Sequence, residues 1–126
     1  MEPITVLVIG DGAETTLIRV ALAKLAEVRV VHVPHARQAL ELLLTPSAPM
    51  ALAIASAAAL RTDADTLLKA LEACGIPLVA IAAALSQEVK QRALAEGVKE
   101  IHIRPRDWPS YSKLIEGLIR RFTHAN

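Results

Sequence analysis

Few residues in this 126-residue chain combine a reactive side chain with a position that could use it. Asp11 stands between Gly10 and Gly12 after the apolar run Thr5–Ile9, Ser56 follows an alanine-rich run at 50–55, and Arg104 precedes Pro105 after Ile101–Ile103. An acid, a hydroxyl and a guanidinium at such points could hold a cation, a phosphate or another anion, because parallel α/β sheets bind ligands at the carboxyl ends of their strands. The other candidate strand ends read Pro34-His35 and Ala82-Ala83, so this edge is nearly bare of reactive groups. No His and acid pair accompanies Ser56 to activate it as a nucleophile. His32 and His35 lack a matching carboxylate or thiolate cluster, and we expect no metal site and no cofactor. His102, inside an apolar run, reads as a packed, hydrogen-bonded core residue.

Two nucleotide readings fail on spacing and composition. Gly10-Asp11-Gly12-Ala13-Glu14-Thr15 is similar in part to a phosphate-cradling turn, but the third glycine is absent and no acid follows the second apolar run. Thr15 and Thr16 near a helix start leave room for a flavin reading, yet no aromatic lies in the strand-end loops to stack on the ring.

The elements that must position these residues follow from hydrophobic period. Thr5–Ile9, Val28–Val33, Met50–Ala55, Pro77–Ile81 and Glu100–Ile103 are short apolar or β-branched runs, as for strands covered on both faces. Between them the apolar residues recur at helical spacing: Ala13 to about Ala26, a stretch through Ala36, Leu40, Leu43 and Leu44, one through Leu67, Leu68 and Leu71, and one through Val89, Ala93 and Leu94. Thr62 or Asp63 is the expected cap of the third helix and Ser86 of the fourth, with Gly75 and Gly97 as stops. The last helix is expected over Ser110–Thr123, and residues 45–49 carry loop chemistry. Strands alternating with helices predict a three-layer α/β/α sandwich, flavodoxin-like or CheY-like, with a five-stranded parallel sheet of order 2-1-3-4-5.

Composition bounds the function. The length suits a single domain over residues 1–126. Hydrophobic residues make up 53% and aromatics 2%, so the core is aliphatic and platforms for stacking bases are scarce. A formal charge of +1 gives no general attraction to nucleic acid or anionic membrane. Cys74 is the only cysteine, which excludes an intrachain disulfide and a Cys-x-x-Cys redox pair. The amino terminus lacks a basic signal-peptide region and no run approaches the roughly 20 apolar residues of a membrane span, so a cytoplasmic location is expected.

Val6-Leu7-Val8-Ile9 with Asp11, then Ile76-Pro77-Leu78-Val79-Ala80-Ile81, then Ala95-Glu96-Gly97 leading through Ile101-His102-Ile103 to Arg104-Pro105, resembles the receiver domain of two-component response regulators. The resemblance spans nearly the whole chain. It implies that Gly10 and Asp11 stand where active receivers carry two metal-binding acids, and that the phosphoacceptor aspartate falls on Ala55, or on Ser56 if the register slips by one. It further implies that Ala82 replaces the phosphoryl-binding hydroxyl, Ile101 the aromatic switch, and Arg104 the lysine. A pocket so stripped cannot hold magnesium, which needs hard oxygen ligands, nor supply an aspartate nucleophile. The resemblance therefore implies a degenerate receiver that acts without phosphorylation and without catalysis. Asp11 is expected either to pair with Arg104 or to cap the first helix with Glu14 three residues on.

Arg104, Arg106, Lys113, Arg120 and Arg121 cluster around Trp108 and Tyr111, and Arg, Trp and Tyr are common interface anchors. In receivers the fourth helix, fifth strand and fifth helix form the usual contact face, so a protein partner or a second copy is expected through Arg106, Trp108, Tyr111, Lys113 and Arg120. Two rival readings are a small-ligand or nucleotide-messenger sensor using Arg104, Asp11 and the alanine-lined space, and a flavodoxin-like enzyme. Direct nucleic-acid binding is not expected, since no recognition motif appears.

Overall fold

Five short strands, β1 (Ile4–Ile9), β2 (Val28–Val33), β3 (Leu52–Ser56), β4 (Leu78–Ala82) and β5 (Glu100–Ile103), pair in parallel in the order β2-β1-β3-β4-β5. The computed structural model describes residues 3–45 and 49–123; residues 46–48, within the expected 45–49 loop, lie outside them. Helices α1 (Ala13–Ala23), α2 (Ala36–Leu44), α3 (Ala64–Ala73), α4 (Gln87–Glu96) and α5 (Trp108–Thr123) connect or follow the strands, and a 3₁₀ turn, Ala57–Arg61, leads from β3 to α3. This is the sandwich that the alternation of elements predicts.

The period-2 rule of a strand divides the core in two. On one face Val6, Val8, Leu52, Ile54, Val79 and Ile81 meet Ile18 and Leu22 of α1 and Ile115 and Leu118 of α5. On the other, Leu7, Ile9, Ala53, Ala55, Ala80 and Ile101 meet α2 and α3. The second face is thin: Ala53, Ala55, Ala80 and Ala82 carry methyl groups where the first face carries Leu, Ile and Val.

Several boundaries differ from the sequence reading, each for a local reason. β3 runs Leu52–Ser56, so Ser56 belongs to the strand and its Oγ accepts from the Ala59 amide at 3.3 Å to start the 3₁₀ turn. β4 starts at Leu78 because Pro77 has no amide to give the ladder. α1 stops at Ala23, where the Lys24 and Leu25 amides tighten onto the carbonyls three residues back. α5 begins at Trp108, two residues early, because the Asp107 carboxylate accepts from both the amide and the hydroxyl of Ser110 at 2.9 Å. Those bonds hold the Asp107 carboxyl below its usual range, the amide bond contributing most.

α3 and α4 test the expected caps. Asp63 precedes α3 in a left-handed conformation with no side-chain cap bond, while Ser86 Oγ accepts from the Val89 amide at 3.1 Å. No residue of α4 is buried, and Val89 and Leu94, expected to face inward, are 48% and 41% exposed. Five residues apart, they lie about 140° apart around a helix of 3.6 residues per turn, too far to share one face.

Candidate functional site

The carboxyl edge of the sheet brings Gly10, Ser56 and Thr15 together. Gly10 ends β1 with its amide donated to the Val33 carbonyl at 2.9 Å and its own carbonyl accepting from His32 Nε2 at 2.7 Å. The second bond requires a proton on Nε2, which removes that nitrogen as a metal ligand. A Cβ built at Gly10 would sit 2.6 Å from Ser56 Oγ and 2.6 Å from Thr15 Oγ1, and φ is +139°. The space in front of β1 is thus filled by two hydroxyls that only a glycine can approach. Ser56 is 4% and Thr15 2% exposed, and Thr15 Oγ1 has no hydrogen-bond partner among the described residues.

The two alternatives for the end of β3 resolve in space. Ala55, paired with Ile9 of β1, packs in the core against α3, whereas Ser56 turns to Gly10. Ala82 is buried at the end of β4, its carbonyl accepting from the Arg104 amide at 2.8 Å, and Ile101 is buried in β5. None of Gly10, Ala55, Ser56 and Ala82 offers a carboxylate.

Asp11 corrects both expectations placed on it. It is exposed and makes no ion pair among the described residues. The N-cap of α1 is Gly12, with no side-chain cap bond, so neither the capping box nor the Asp11–Arg104 pair forms. Arg104 instead reaches Glu14, Nη1 to Oε1 at 3.6 Å, with 39% of the arginine and 12% of the glutamate side chain exposed. The Tyr111 hydroxyl donates to the other Glu14 oxygen at 2.5 Å, a length typical of bonds to a charged acceptor. Burial first, and the Glu14 carboxylate second, push the Tyr111 phenol far above its usual range. Glu14, marked in the sequence only as a helix-start acid, ties α1 to α5 and to the residue after β5.

The expected contact cluster divides. Tyr111 is 2% exposed and cannot anchor a partner. Trp108 is half-buried, stacked on Tyr111 with ring centroids 6.0 Å apart and covered by the Lys24 ammonium at 4.8 Å. Arg106, Lys113 and Arg120 are exposed; Arg120 pairs with Glu116 on its own helix at 2.6 Å, and Arg121 grips Glu100 of β5 at 2.8 and 3.0 Å. His102 is part-exposed and donates to Glu100 at 2.7 Å, so it is hydrogen-bonded but not a core residue. Sequence reasoning missed that apolar residues of α4 and β5 lie open: Ile103 is 55% exposed, as are Val89 at 48% and Leu94 at 41%.

Among the described residues no three His, Cys, Asp or Glu side chains converge as a metal site. Of Gly10, Asp11, Ala55 and Ser56, the positions to which the resemblance assigns the cation's acids, only Asp11 carries a carboxylate, too few hard oxygen ligands for a divalent ion. The residues present therefore do not fit that cation.

No protein-family model matches the sequence, and no curated protein gives a significant sequence match. Solved structures do. The response regulator RPA3017 in red light signaling of R. palustris superposes with a TM-score of 0.81 at 18% identity, covering 98% of this chain and 96% of that one. The chain has the receiver fold. A second match to that fold is the phosphorylated cyanobacterial phytochrome response regulator RcpA, with a TM-score of 0.80, 15% identity and coverage of 98% and 97%. A third is the manganese(II)-bound form of response regulator Rcp1, with a TM-score of 0.76, 13% identity and 98% coverage of both chains. In this receiver-fold chain the carboxyl edge that those proteins share in outline carries Gly10, Ser56 and Ala82. No described helix is long and apolar enough to cross a membrane.

Proposed function

We propose that this chain is a degenerate receiver module that works in signalling by protein contact, without phosphorylation and without catalysis. The observation that carries the reading is the packing at Gly10, where the Ser56 and Thr15 hydroxyls occupy the space of any side chain at that position, with no carboxylate at the end of β3. A metal-assisted phosphoryl transfer needs an oxygen nucleophile and neutralised charge, and a serine without a base beside it supplies neither. Glu14 supports the same reading, because its bonds to Arg104 and Tyr111 hold the loop after β5 against α1 with no ligand required.

Contact is assigned to α4, β5 and α5, with a partner protein or a second copy. Supporting it are the exposed Val89, Leu94 and Ile103 and the exposed Arg106 and Lys113. Exposed apolar groups together with arginine are a usual make-up for a small interface. Incubation with acetyl phosphate or beryllofluoride plus magnesium is expected to leave mass and amide spectrum unchanged. A stoichiometric mass increase, or saturable spectral shifts around Gly10 and Ser56, overturns the proposal.

A further inference from the structure

Between α4 on one side and the 3₁₀ turn with α3 on the other lies a groove of about 700 Å³, and we propose that it binds a small single-headed amphiphile, an apolar chain or ring bearing one carboxylate or similar anion. Its floor is the buried set Leu68, Ala82, Val98 and Ile101, all under 9% exposed. Alanines of the turn and of the segment after β4 form much of the walls, with Val89 and Ala93 of α4. The volume is that of an ordinary small-molecule site. It stays open because the wall residues Ala82, Ala83 and Ala84 are small and α4 buries no residue to fill it.

The lining decides the ligand class. It contains no aromatic, hydroxyl or amide side chain, so it has nothing to stack on a base or to read its edges, and a nucleotide is a poor match. Its charged members are Arg61, Arg92 and Glu96, two guanidiniums against one carboxylate. Arg61 is exposed and makes no ion pair among the described residues, while Arg92 holds only the exposed Glu88 at 3.3 Å. An apolar body on the floor with one anionic head at the rim meets both features. Occupancy would give α4 the buried contact it lacks and so quiet its motion. The inference is independent of phosphorylation, and the groove shares Val89 of α4 with the proposed contact surface.

The test is titration of the full chain with decanoate below its micelle concentration, by calorimetry and amide spectra, with decylammonium as the cationic match. Saturable decanoate binding is expected, with shifts confined to Ala57–Arg61, Ala82–Ala84 and α4, slower hydrogen exchange in α4, and no comparable binding of decylammonium. Arg61→Glu is expected to weaken binding by about tenfold or more, the scale of one charge-assisted hydrogen bond, and Ile101→Phe to fill the floor and do the same. Absence of saturable binding, equal binding of the cation, or binding that Arg61→Glu leaves intact overturns the proposal. Because Arg61 is exposed on a turn, that variant decides even where Ile101→Phe fails to fold.

Discussion

Gly10 combines a φ of +139° with hydroxyls 2.6 Å from where a Cβ would stand, so any side chain there meets both backbone strain and overlap. Gly10→Ala is expected to cost on the order of 3 kcal/mol, read as a fall in denaturation midpoint with unchanged slope. Gly10→Asp is expected to be worse, and Ala55→Asp or Ser56→Asp alone to confer no magnesium-dependent phosphorylation by acetyl phosphate. Tyr111 gives a pH signature. Its phenol stays protonated in the folded chain well past the ordinary 10.0, while the unfolded chain loses that proton near 10. The contribution is therefore complete below about pH 10 and declines as pH rises beyond it, since the native state then holds the extra proton. Tyr111→Phe is expected to lower stability by about 1–3 kcal/mol at neutral pH, with the gap to wild type shrinking above pH 10 in thermal melts. A constant gap would show that the phenol is not raised in the folded chain by burial and the Glu14 carboxylate. Little of this was legible in sequence: Gly10 and Arg104 stood out by position, but whether Arg104 meets Asp11 or Glu14 depends on the turn Gly10-Asp11-Gly12, whose two positive φ values no pattern encodes.

At the level of elements, helical or strand period determined what each segment became, and local hydrogen-bond supply determined where it ended. All five strands and five helices follow from hydrophobic spacing, yet the shifted ends of β3, β4, α1 and α5 depend on Pro77, Asp107 and tightened carbonyls, which spacing does not register. α4 is the element whose role the spacing misread. With Val89 and Leu94 on divergent sides it has no stripe, and most helical stability comes from burying one. The Ser86 cap therefore matters more for α4 than a cap does for a well-packed helix. Ser86→Ala is expected to remove about 1 kcal/mol and to raise hydrogen exchange in α4 alone. In the wild-type chain α4 amides are expected to exchange fastest of the five helices. Protection in α4 equal to that in α5, which buries Tyr111, Ile115, Leu118 and Ile119, would refute that ordering.

On the scale of the whole molecule, the two sheet faces divide the labour. The α1/α5 face carries branched side chains and the Glu14–Tyr111–Arg104 link; the other face mixes Leu7, Ile9, Leu78 and Ile101 with Ala53, Ala55 and Ala80, and α4 buries no residue on it. Selection for folding alone would fill such a face, because larger apolar groups add roughly 0.8 kcal/mol per buried methylene. The proposed contact through α4, β5 and α5 draws on the exposed Val89, Leu94 and Ile103. Substitutions there are expected to separate function from stability. Ile103 and Arg106 are exposed, so Ile103→Glu and Arg106→Glu are expected to move stability by no more than about 0.5 kcal/mol, yet to abolish self-association in sedimentation or capture of a purified partner. Arg106→Lys keeps the charge and is expected to retain part of the contact, since a guanidinium offers a planar fork that an ammonium lacks. A chain that melts normally and binds normally with both substitutions in place would move the contact off this face and onto the α1 side, where Val20 is 45% exposed.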